Sequence, residues 1–250
     1  MSKGFMKQIM ELIYESDIVL EILDARFPDR TRNKQIEERI ISKGKKLILV
    51  LNKTDLAGKE KIKLEKKELI EKEKLRVVFV SAKEKNGIRL LKRELSIASK
   101  GKKELIIGML GYPNSGKSTL INALSGKGKG KVRTSKRAGF TRGLQRIKIS
   151  EGIYLIDAPG IIPYGETDEF ELFLVGAKNA NQLKDMETVA LKLISEMKEK
   201  FQEMFSTKED DEETILEEIA MQKKWVMRGG KADMQKAARE VLEMYQRNKL

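Results

Sequence analysis

Short apolar runs alternate with amphipathic segments along the first two-thirds of the chain. A continuous apolar run of about five residues suits a buried parallel strand, whereas apolar residues three or four apart suit a helix. The pattern predicts strands at 18–23, 47–51, 77–80 and 105–110, and helices at 34–43, 59–74, 88–98 and 117–124. The stretches 144–149 and 153–156 are predicted to pair as an antiparallel hairpin. Strands that alternate with helices indicate an α/β fold with a doubly wound sheet.

The strand signals stop near residue 180, and apolar residues then follow helical spacing. The acidic segment 209–213 is expected to be either a solvated linker or the N-terminal charge of the next helix. Helical patterns occupy 186–205, 214–227 and 231–247. We therefore expect an α/β domain over residues 1–180 and a small all-α domain over residues 181–250.

The composition narrows the chemistry. Cysteine and histidine are both absent, which excludes disulfides, thiolate nucleophiles, histidine acid–base catalysis and the usual zinc sites. A metal would have to use oxygen ligands, which favours magnesium. Apolar runs are too short to span a bilayer, and the amphipathic start is unlike a signal peptide. A cytoplasmic location is expected.

The net charge of +13 is unevenly distributed. Residues 181–250 carry 13 Lys and Arg against 15 Asp and Glu, so the excess of positive charge lies in the first 180 residues. No acidic residue occurs between 121 and 150, where nine basic residues stand: Lys127, Lys129, Lys131, Arg133, Lys136, Arg137, Arg142, Arg146 and Lys148. Such a run is either a solvated loop or a binding segment for a polyanion, either a nucleic acid or an anionic surface, and its length favours binding.

A glycine-rich segment follows the apolar run 105–110. It reads Gly111-Tyr112-Pro113-Asn114-Ser115-Gly116-Lys117-Ser118 and matches the phosphate-binding pattern GxxxxGKS between a strand and a helix. Backbone N–H groups and the positive helix N-terminus hold phosphates in such loops. Lys117 is expected to reach the β- and γ-phosphates, and the Ser118 hydroxyl to bind Mg²⁺. The other expected nucleotide contacts here are Asn114, Ser115, Gly116 and Thr119.

A base-recognition segment is predicted after the run 47–51, where the chain reads Asn52-Lys53-Thr54-Asp55. The Asp55 carboxylate can accept from N1–H and the exocyclic amine of guanine, a donor pair that adenine lacks. A site of this kind rejects the wrong base by a factor of roughly 10⁴. The Lys53 stem can lie along the purine face, and Asn52 can tie neighbouring loops together.

Two further segments complete the set. Ser81-Ala82-Lys83 follows the next predicted strand, where the Ala82 amide could donate to guanine O6. Asp157-Ala158-Pro159-Gly160 fits DxxG, in which the aspartate binds magnesium through water and the Gly160 amide meets the γ-phosphate. Thr141 lies between the phosphate loop and DxxG, where a nucleotide switch needs a threonine that completes the metal site.

The order of these segments resembles that of the circularly permuted GTPases of the YlqF/YawG type, because guanine recognition precedes the phosphate loop. Asp24-Ala25-Arg26-Phe27-Pro28 and Gly229-Gly230-Lys231-Ala232-Asp233 resemble that family's DAR-x-P and glycine-pair segments. The resemblance is close over about 5–165 and looser over 225–250. It implies a circularly permuted Ras-like P-loop GTPase fold and GTP hydrolysis. It also implies a role in ribosome assembly, for the large subunit, with ribosomal RNA or a ribosomal subunit as the partner.

Two positions depart from or add to the pattern. Ile161 stands where Ras-like GTPases carry a water-orienting glutamine. YlqF-type proteins are thought to use an N-terminal histidine instead, and this chain has none. Asn114 matches the asparagine that binds K⁺ beside the phosphates in potassium-activated GTPases, so a cation is expected to assist turnover. The alternative for Asn114 is a residue that merely fits the loop turn.

Two function classes remain open from the sequence. The first is an RNA-associated GTPase switch whose low intrinsic turnover is stimulated by K⁺ or a ribosomal partner. The second is a GTP-gated scaffold for a protein partner with negligible hydrolysis, which Ile161 and the absence of histidine also allow. Asp55 opposes an ATPase. A monomer without membrane contact is expected.

Overall fold

The structure is a computed structural model that describes residues 3–126, 134–135, 145–157 and 168–247. Two compact units divide the chain, residues 1–165 and residues 166–250. The second unit thus begins before the boundary that the sequence pattern placed after residue 180. The reason is the stretch 170–175, whose five apolar side chains are buried and which belongs to the helical unit.

The described part of the first unit contains a seven-stranded sheet. Its strands are β1 (Ile18–Asp24), β2 (Lys46–Asn52), β3 (Val77–Phe79), β4 (Leu105–Gly111), β5 (Thr134–Ser135), β6 (Gln145–Ser150) and β7 (Ile153–Asp157). They lie in the order β3-β2-β1-β4-β7-β6-β5. The strands from β3 to β7 in this order run parallel, whereas β6 is antiparallel to both β7 and β5. The predicted strands and the hairpin of the first unit are therefore confirmed.

Helices cover both faces of this sheet, as the doubly wound prediction requires. They are α1 (Lys3–Glu15), α2 (Pro28–Thr31), α3 (Lys34–Ser42), α4 (Lys59–Lys66), α5 (Ile88–Ser99) and α6 (Lys117–Ser125). Alternate side chains of a strand point to opposite faces. Accordingly Leu20 of β1 packs in the core that contains α5 and α6, whereas its neighbour Val19 packs with α1 and α3. Both faces are largely apolar, so β1 is hydrophobic at every position except the buried Glu21 and Asp24.

The helix expected over 59–74 differs in its second half. An α-helix ends at Lys66 and continues as π-helix over Lys67–Lys72. The backbone N–H of Glu73 donates to the carbonyl of Glu68, the wider spacing of a π-turn. The wider turn lies where Leu69 is buried beneath the sheet edge, beside Leu49 and Leu51. A Lys/Glu-rich sequence shows no local sign of such a turn, because it depends on that tertiary contact.

The second unit is mainly helical in its described part. It contains α7 (Glu169–Leu174), a 3₁₀ turn (Ala180–Gln182), α8 (Met186–Glu196), α9 (Lys198–Phe205), α10 (Glu212–Gln222) and α11 (Met234–Gln246). The Phe173 and Tyr245 rings pack with centroids 5.6 Å apart. The Tyr245 hydroxyl donates to the Leu174 carbonyl at 2.8 Å, which joins α7 to α11. The all-α class is as expected.

Helix boundaries in this unit are set by caps. The helical pattern 186–205 breaks at Met197, whose backbone leaves helical geometry and separates α8 from α9. The acidic segment begins α10 instead of forming a linker, because Asp211 accepts from the Thr214 N–H. Helix α11 starts later than expected. Asp233 caps it, and the residues before the cap form a hairpin in which Val226 pairs with Ala232.

Within the described ranges, no helix has both the length and the apolar character needed to cross a lipid bilayer.

Candidate nucleotide-binding site

The predicted motifs meet at one edge of the sheet. Strands β1, β2, β4 and β7 are parallel, and they end at Asp24, Asn52, Gly111 and Asp157. Ser81-Ala82-Lys83 follows the parallel strand β3. Ligands of open α/β sheets bind outside the carboxyl ends of the strands. The sheet therefore collects segments that are far apart in sequence into one binding edge.

The phosphate loop joins β4 to α6, the arrangement that its sequence predicts. Its last residues turn through left-handed backbone at Asn114 (φ 58°) and Gly116 (φ 92°), and α6 then starts at Lys117. Ser118 and Thr119 lie in the first turn of α6, where N–H groups have no intrahelical acceptor. A loop of this shape ending at a helix N-terminus is suited to an anionic ligand.

Asn52 connects the two halves of the edge. It is 2% exposed; its side-chain Nδ2 donates to the Ser115 carbonyl at 2.9 Å, and its Oδ1 accepts from the Ala82 N–H at 3.0 Å. One side chain thus holds the phosphate loop against the segment after β3. Asn52 therefore ties neighbouring loops together, as expected. The Ala82 N–H, which the sequence suggested as a donor to guanine O6, donates instead to Asn52 in this structure.

Lys53 has left-handed backbone, with φ 64°. Its Nζ lies 2.8 Å from Oδ2 of Asp24, the last residue of β1. Arg26 donates to the same carboxylate from Nε at 3.0 Å and from its terminal nitrogen at 2.8 Å. The sequence pattern assigned Asp24 and Arg26 no role beyond a family resemblance. The cluster could have been predicted from the ends of the two strands: Asp24 and Asn52 are each the last residue of their strand, and they are register partners in adjacent strands. Lys53 therefore follows directly beside Asp24.

The remaining base-recognition residues lie around this cluster. Asp55 is exposed in the turn that follows Lys53, so its carboxylate faces solvent. Ser81 is buried, and its hydroxyl accepts from the Glu84 N–H at 3.1 Å, which shapes the loop. Lys83 is exposed. Asp55 thus lies in the turn just after Asn52, the residue that bridges the loops.

Lys117 and Asp157 are an electrostatic pair inside the edge. Lys117 Nζ donates to the carbonyls of Gly111 and Tyr112, each at 3.0 Å. Burial lowers the pKa of Lys117, and the charge of Asp157 partly opposes that shift. Burial likewise raises the pKa of Asp157, against the opposing charge of Lys117. Burial thus shifts the pKa of each group towards its neutral form, and each charge partly offsets the shift of the other.

Two buried oxygens here lack a protein partner among the described residues, namely Ser115 Oγ and Asp157 Oδ1. An unpaired buried carboxylate oxygen is costly, and hard divalent cations prefer oxygen ligands. The orphaned Asp157 oxygen and the Ser118 hydroxyl fit a magnesium ion that a bound nucleotide would complete with its phosphates. Thr141 and Gly160 lie outside the described residues, as do Ile161 and most of the basic run 127–148.

Comparison with protein families agrees with the motif order. The model of the RsgA GTPase family matches residues 17–166, more than half of the chain. The chain belongs to the circularly permuted GTPases of the YlqF/RsgA type. A second model, the 50S ribosome-binding GTPase, matches residues 106–227. The predicted permuted P-loop GTPase fold is thus confirmed for this family member.

Relatives of this permuted GTPase occur in archaea and fungi. It is 37% identical to the "Uncharacterized GTP-binding protein MJ1464" of Methanocaldococcus jannaschii over 98% of this chain and 65% of that protein. It is 32% identical to the "Nucleolar GTP-binding protein 2" of Neurospora crassa over all of this chain and 41% of that protein. The chain therefore spans between two-fifths and two-thirds of the length of these two curated relatives.

Solved structures have the same architecture. A GDP-bound structure of YlqF from "TM" superposes with a TM-score of 0.69 at 25% identity and covers 97% of this chain and 95% of that one. A GNP-bound YlqF from T. maritima superposes with a TM-score of 0.65 at 23% identity, covering 99% of this chain and 95% of that one. The second comparison shows the shared fold.

Proposed function

We propose that this chain binds GTP with Mg²⁺, hydrolyses it to GDP and phosphate, and acts as a switch in assembly of the large ribosomal subunit. The observation that supports this most is the arrangement of the Asn52, Asp55, Ser81, Lys117 and Asp157 segments along one edge of the parallel sheet. Membership of a ribosome-binding GTPase family supports the ribosomal partner.

Each group in the site has a distinct task in this proposal. Asp55 accepts from the guanine edge, and the Lys53 stem lies along the purine. Lys117 exchanges its hydrogen bonds to the carbonyls of its own loop for contacts with the β- and γ-phosphates. The negative charge of the phosphates then pairs with its buried ammonium. Ser118, Thr141 and, through water, Asp157 would hold a magnesium ion. When bound, this ion neutralises charge that develops on the phosphates.

The site has no residue to which the activation of the attacking water can be assigned from its motifs. The chain has neither the water-orienting glutamine, replaced by Ile161, nor a histidine, so the proposal assigns stimulation to K⁺ held at Asn114 or to the ribosomal partner. Asn114 is exposed and has left-handed backbone in the phosphate loop, where its side chain can reach a cation beside the phosphates.

The switch output follows from chain order. Residues 158–167 run from Asp157 directly into the helical unit, so loss of the γ-phosphate at Gly160 acts on the segment that carries this unit. We propose that the nucleotide sets the orientation of the helical unit for RNA binding. RNA affinity should then differ between the GTP-analogue and GDP states; equal affinities would contradict the switch.

Hydrolysis assays separate the two function classes. Turnover is measured in K⁺ and in Na⁺, with and without large ribosomal subunits, and GDP and ADP compete for binding in parallel. The GTPase proposal expects slow turnover that rises with K⁺ or with subunits, and displacement by GDP alone. Nucleotide binding with zero turnover under all four conditions would instead support the GTP-gated scaffold, which the Ile161 substitution also fits.

A further inference from the structure

The carboxylate of Asp24 is enclosed between two cations at the end of β1. Asp24 is fully buried, and its two oxygens accept from Lys53 and from Arg26 at 2.8–3.0 Å. Asp24 lies beside Asn52 in the sheet register. A buried carboxylate is destabilising unless it is paired and hydrogen-bonded. This group therefore depends on the cations, and the cations in turn are oriented by it.

The charge of Asp24 is maintained in the folded protein. Burial alone would raise the pKa of Asp24, but the hydrogen bond from Arg26 and the charges of Lys53 and Arg26 outweigh it, and the pKa lies below its ordinary value. The carboxylate is therefore ionised at neutral pH. Without it, the Lys53 ammonium and the Arg26 guanidinium would face each other with no anion between them.

Lys53 is constrained at both ends. Its Cα has left-handed backbone at φ 64°, a conformation that costs free energy in a residue other than glycine. Its Nζ is fixed at Asp24. The methylene stem spans the gap between these points, and the side chain is only 23% exposed. A lysine side chain that is free in solution loses rotamer entropy when it packs on a ligand, and this one has lost much of it already.

We infer that Asp24 is a positioning residue of the nucleotide site, which holds Lys53 so that its methylene stem presents a fixed apolar surface to the purine. The inference rests on the guanine-nucleotide binding proposed above. Preorganisation raises affinity because less ordering is left for the binding step. The effect is exerted through the purine face, so it is independent of the groups on the base edge that Asp55 recognises.

The test is a set of dissociation constants for GDP and for inosine diphosphate, which lacks the exocyclic amine. They are measured for the wild-type chain, Asp24→Asn, Lys53→Met and the double variant. Asp24→Asn is expected to weaken both nucleotides about tenfold, the scale set by the entropy of one long side chain, and to leave their affinity ratio unchanged. The double variant should bind no more weakly than Lys53→Met alone. Asp55→Asn, by contrast, should change the ratio.

A matched control lies at the other end of the same strand. Asp17 precedes β1, accepts from the Ile106 N–H at 2.8 Å and pairs with Lys102, and its pKa is also lowered: hydrogen bonds and lysine charges outweigh the opposing effect of burial. Asp17→Asn removes an ion pair of the same strand, more exposed than that of Asp24, far from the binding edge. It should lower the melting temperature without changing either dissociation constant, which separates loss of stability from loss of positioning.

Three results would overturn the inference. They are unchanged nucleotide affinity in Asp24→Asn, additive losses in the double variant, or a changed GDP-to-inosine-diphosphate ratio in Asp24→Asn. Should Asp24→Asn fail to fold, Asp24→Glu keeps the charge and displaces the carboxylate by one methylene; wild-type affinity in that variant would count against the positioning role. A wild-type chain that binds no GDP would refute the proposed function itself, a result distinct from these.

Discussion

The side-chain amide of Asn52 donates a 2.9 Å hydrogen bond to the backbone carbonyl of Ser115. These residues belong to the base-recognition and phosphate-binding segments, and 63 positions of sequence separate them. Asn52 also accepts from the Ala82 N–H, so three loops share one buried amide. The nucleotide site is therefore a single connected structure before any ligand binds.

Asn52→Ala should disrupt this connection. The substitution leaves the Ser115 carbonyl and the Ala82 N–H without their partner, and an orphaned buried group costs about 1–3 kcal/mol. We expect a lower melting temperature and GDP affinity reduced by roughly tenfold to a hundredfold. Thermal unfolding and calorimetric titration measure both. Asn86→Ala, at an exposed asparagine in the loop after β3, is the control and should change neither; wild-type affinity in Asn52→Ala would disprove the bridging role.

Gly116→Ala tests the same contact from the opposite side. A Cβ at residue 116 would lie 2.2 Å from Asn52 Nδ2, and the backbone there has φ 92°. The amide must move, so GDP affinity should fall on the order of a hundredfold, which corresponds to about 2.7 kcal/mol of binding free energy.

The matched control for this substitution is Gly126→Ala at the end of α6. Residue 126 has φ 66°, but its added Cβ would meet nothing within 4 Å. It carries the backbone strain without the clash, and should destabilise by about 1 kcal/mol while keeping GDP affinity. Equal affinity losses in the two variants would show that strain alone, and not the Asn52 contact, is responsible.

Asp157→Asn should stabilise the nucleotide-free protein while weakening magnesium-dependent binding. Burial raises the pKa of Asp157, so its charged form opposes folding. Neutralising it should raise the melting temperature at neutral pH, by roughly 2–4 °C for each kcal/mol relieved. The gain should shrink as the pH falls through the raised pKa and vanish below the ordinary pKa of an unfolded aspartate, where Asp157 is neutral in both states.

The binding readout for Asp157→Asn is the ratio of GTP affinities with Mg²⁺ and with EDTA. This ratio should approach one in the variant and stay large in the wild-type chain. In the wild type it should also shrink as the pH is lowered towards the raised pKa of Asp157, since protonation removes the negative charge that Asp157 offers to the magnesium and its bound water. A destabilised variant with normal magnesium dependence would contradict both parts of the prediction.

The basic run is predicted to bind RNA phosphates. Replacement of Lys127, Lys129 and Lys131 by Gln should reduce the salt dependence of RNA binding, by about 0.7–0.9 in log–log slope for each phosphate that the variant no longer binds. Filter binding at several salt concentrations measures this. The control replaces Lys59, Lys63 and Lys67 by Gln. These lysines lie in a segment that also contains glutamates, and their replacement should leave the slope unchanged. Identical slopes in both variants would assign no RNA binding to the run.

Local pattern was sufficient for most of the α/β unit. Apolar runs predicted β1, β2 and β4 to within two residues at each end, because a strand buried on both faces is mostly apolar. The β6–β7 hairpin was predicted to the same precision. The phosphate loop was also predicted from the sequence, because its backbone shape is determined by glycines and a lysine within eight consecutive residues. In contrast, the π-turn at Lys67–Lys72 and the break at Met197 have no local signal.

Amino-acid order by itself determined the permuted arrangement of motifs, and it predicts the roles of Asp55 and Lys117 and the base specificity proposed for Asp55. These properties reside in contiguous residues and their side-chain donors and acceptors. Only the tertiary structure decided that Asn52 joins Ser115 to Ala82, and that Asp24 holds Lys53. Such contacts depend on which strands are neighbours and in what register. Both are set by the packing of the whole sheet and lie beyond any local pattern.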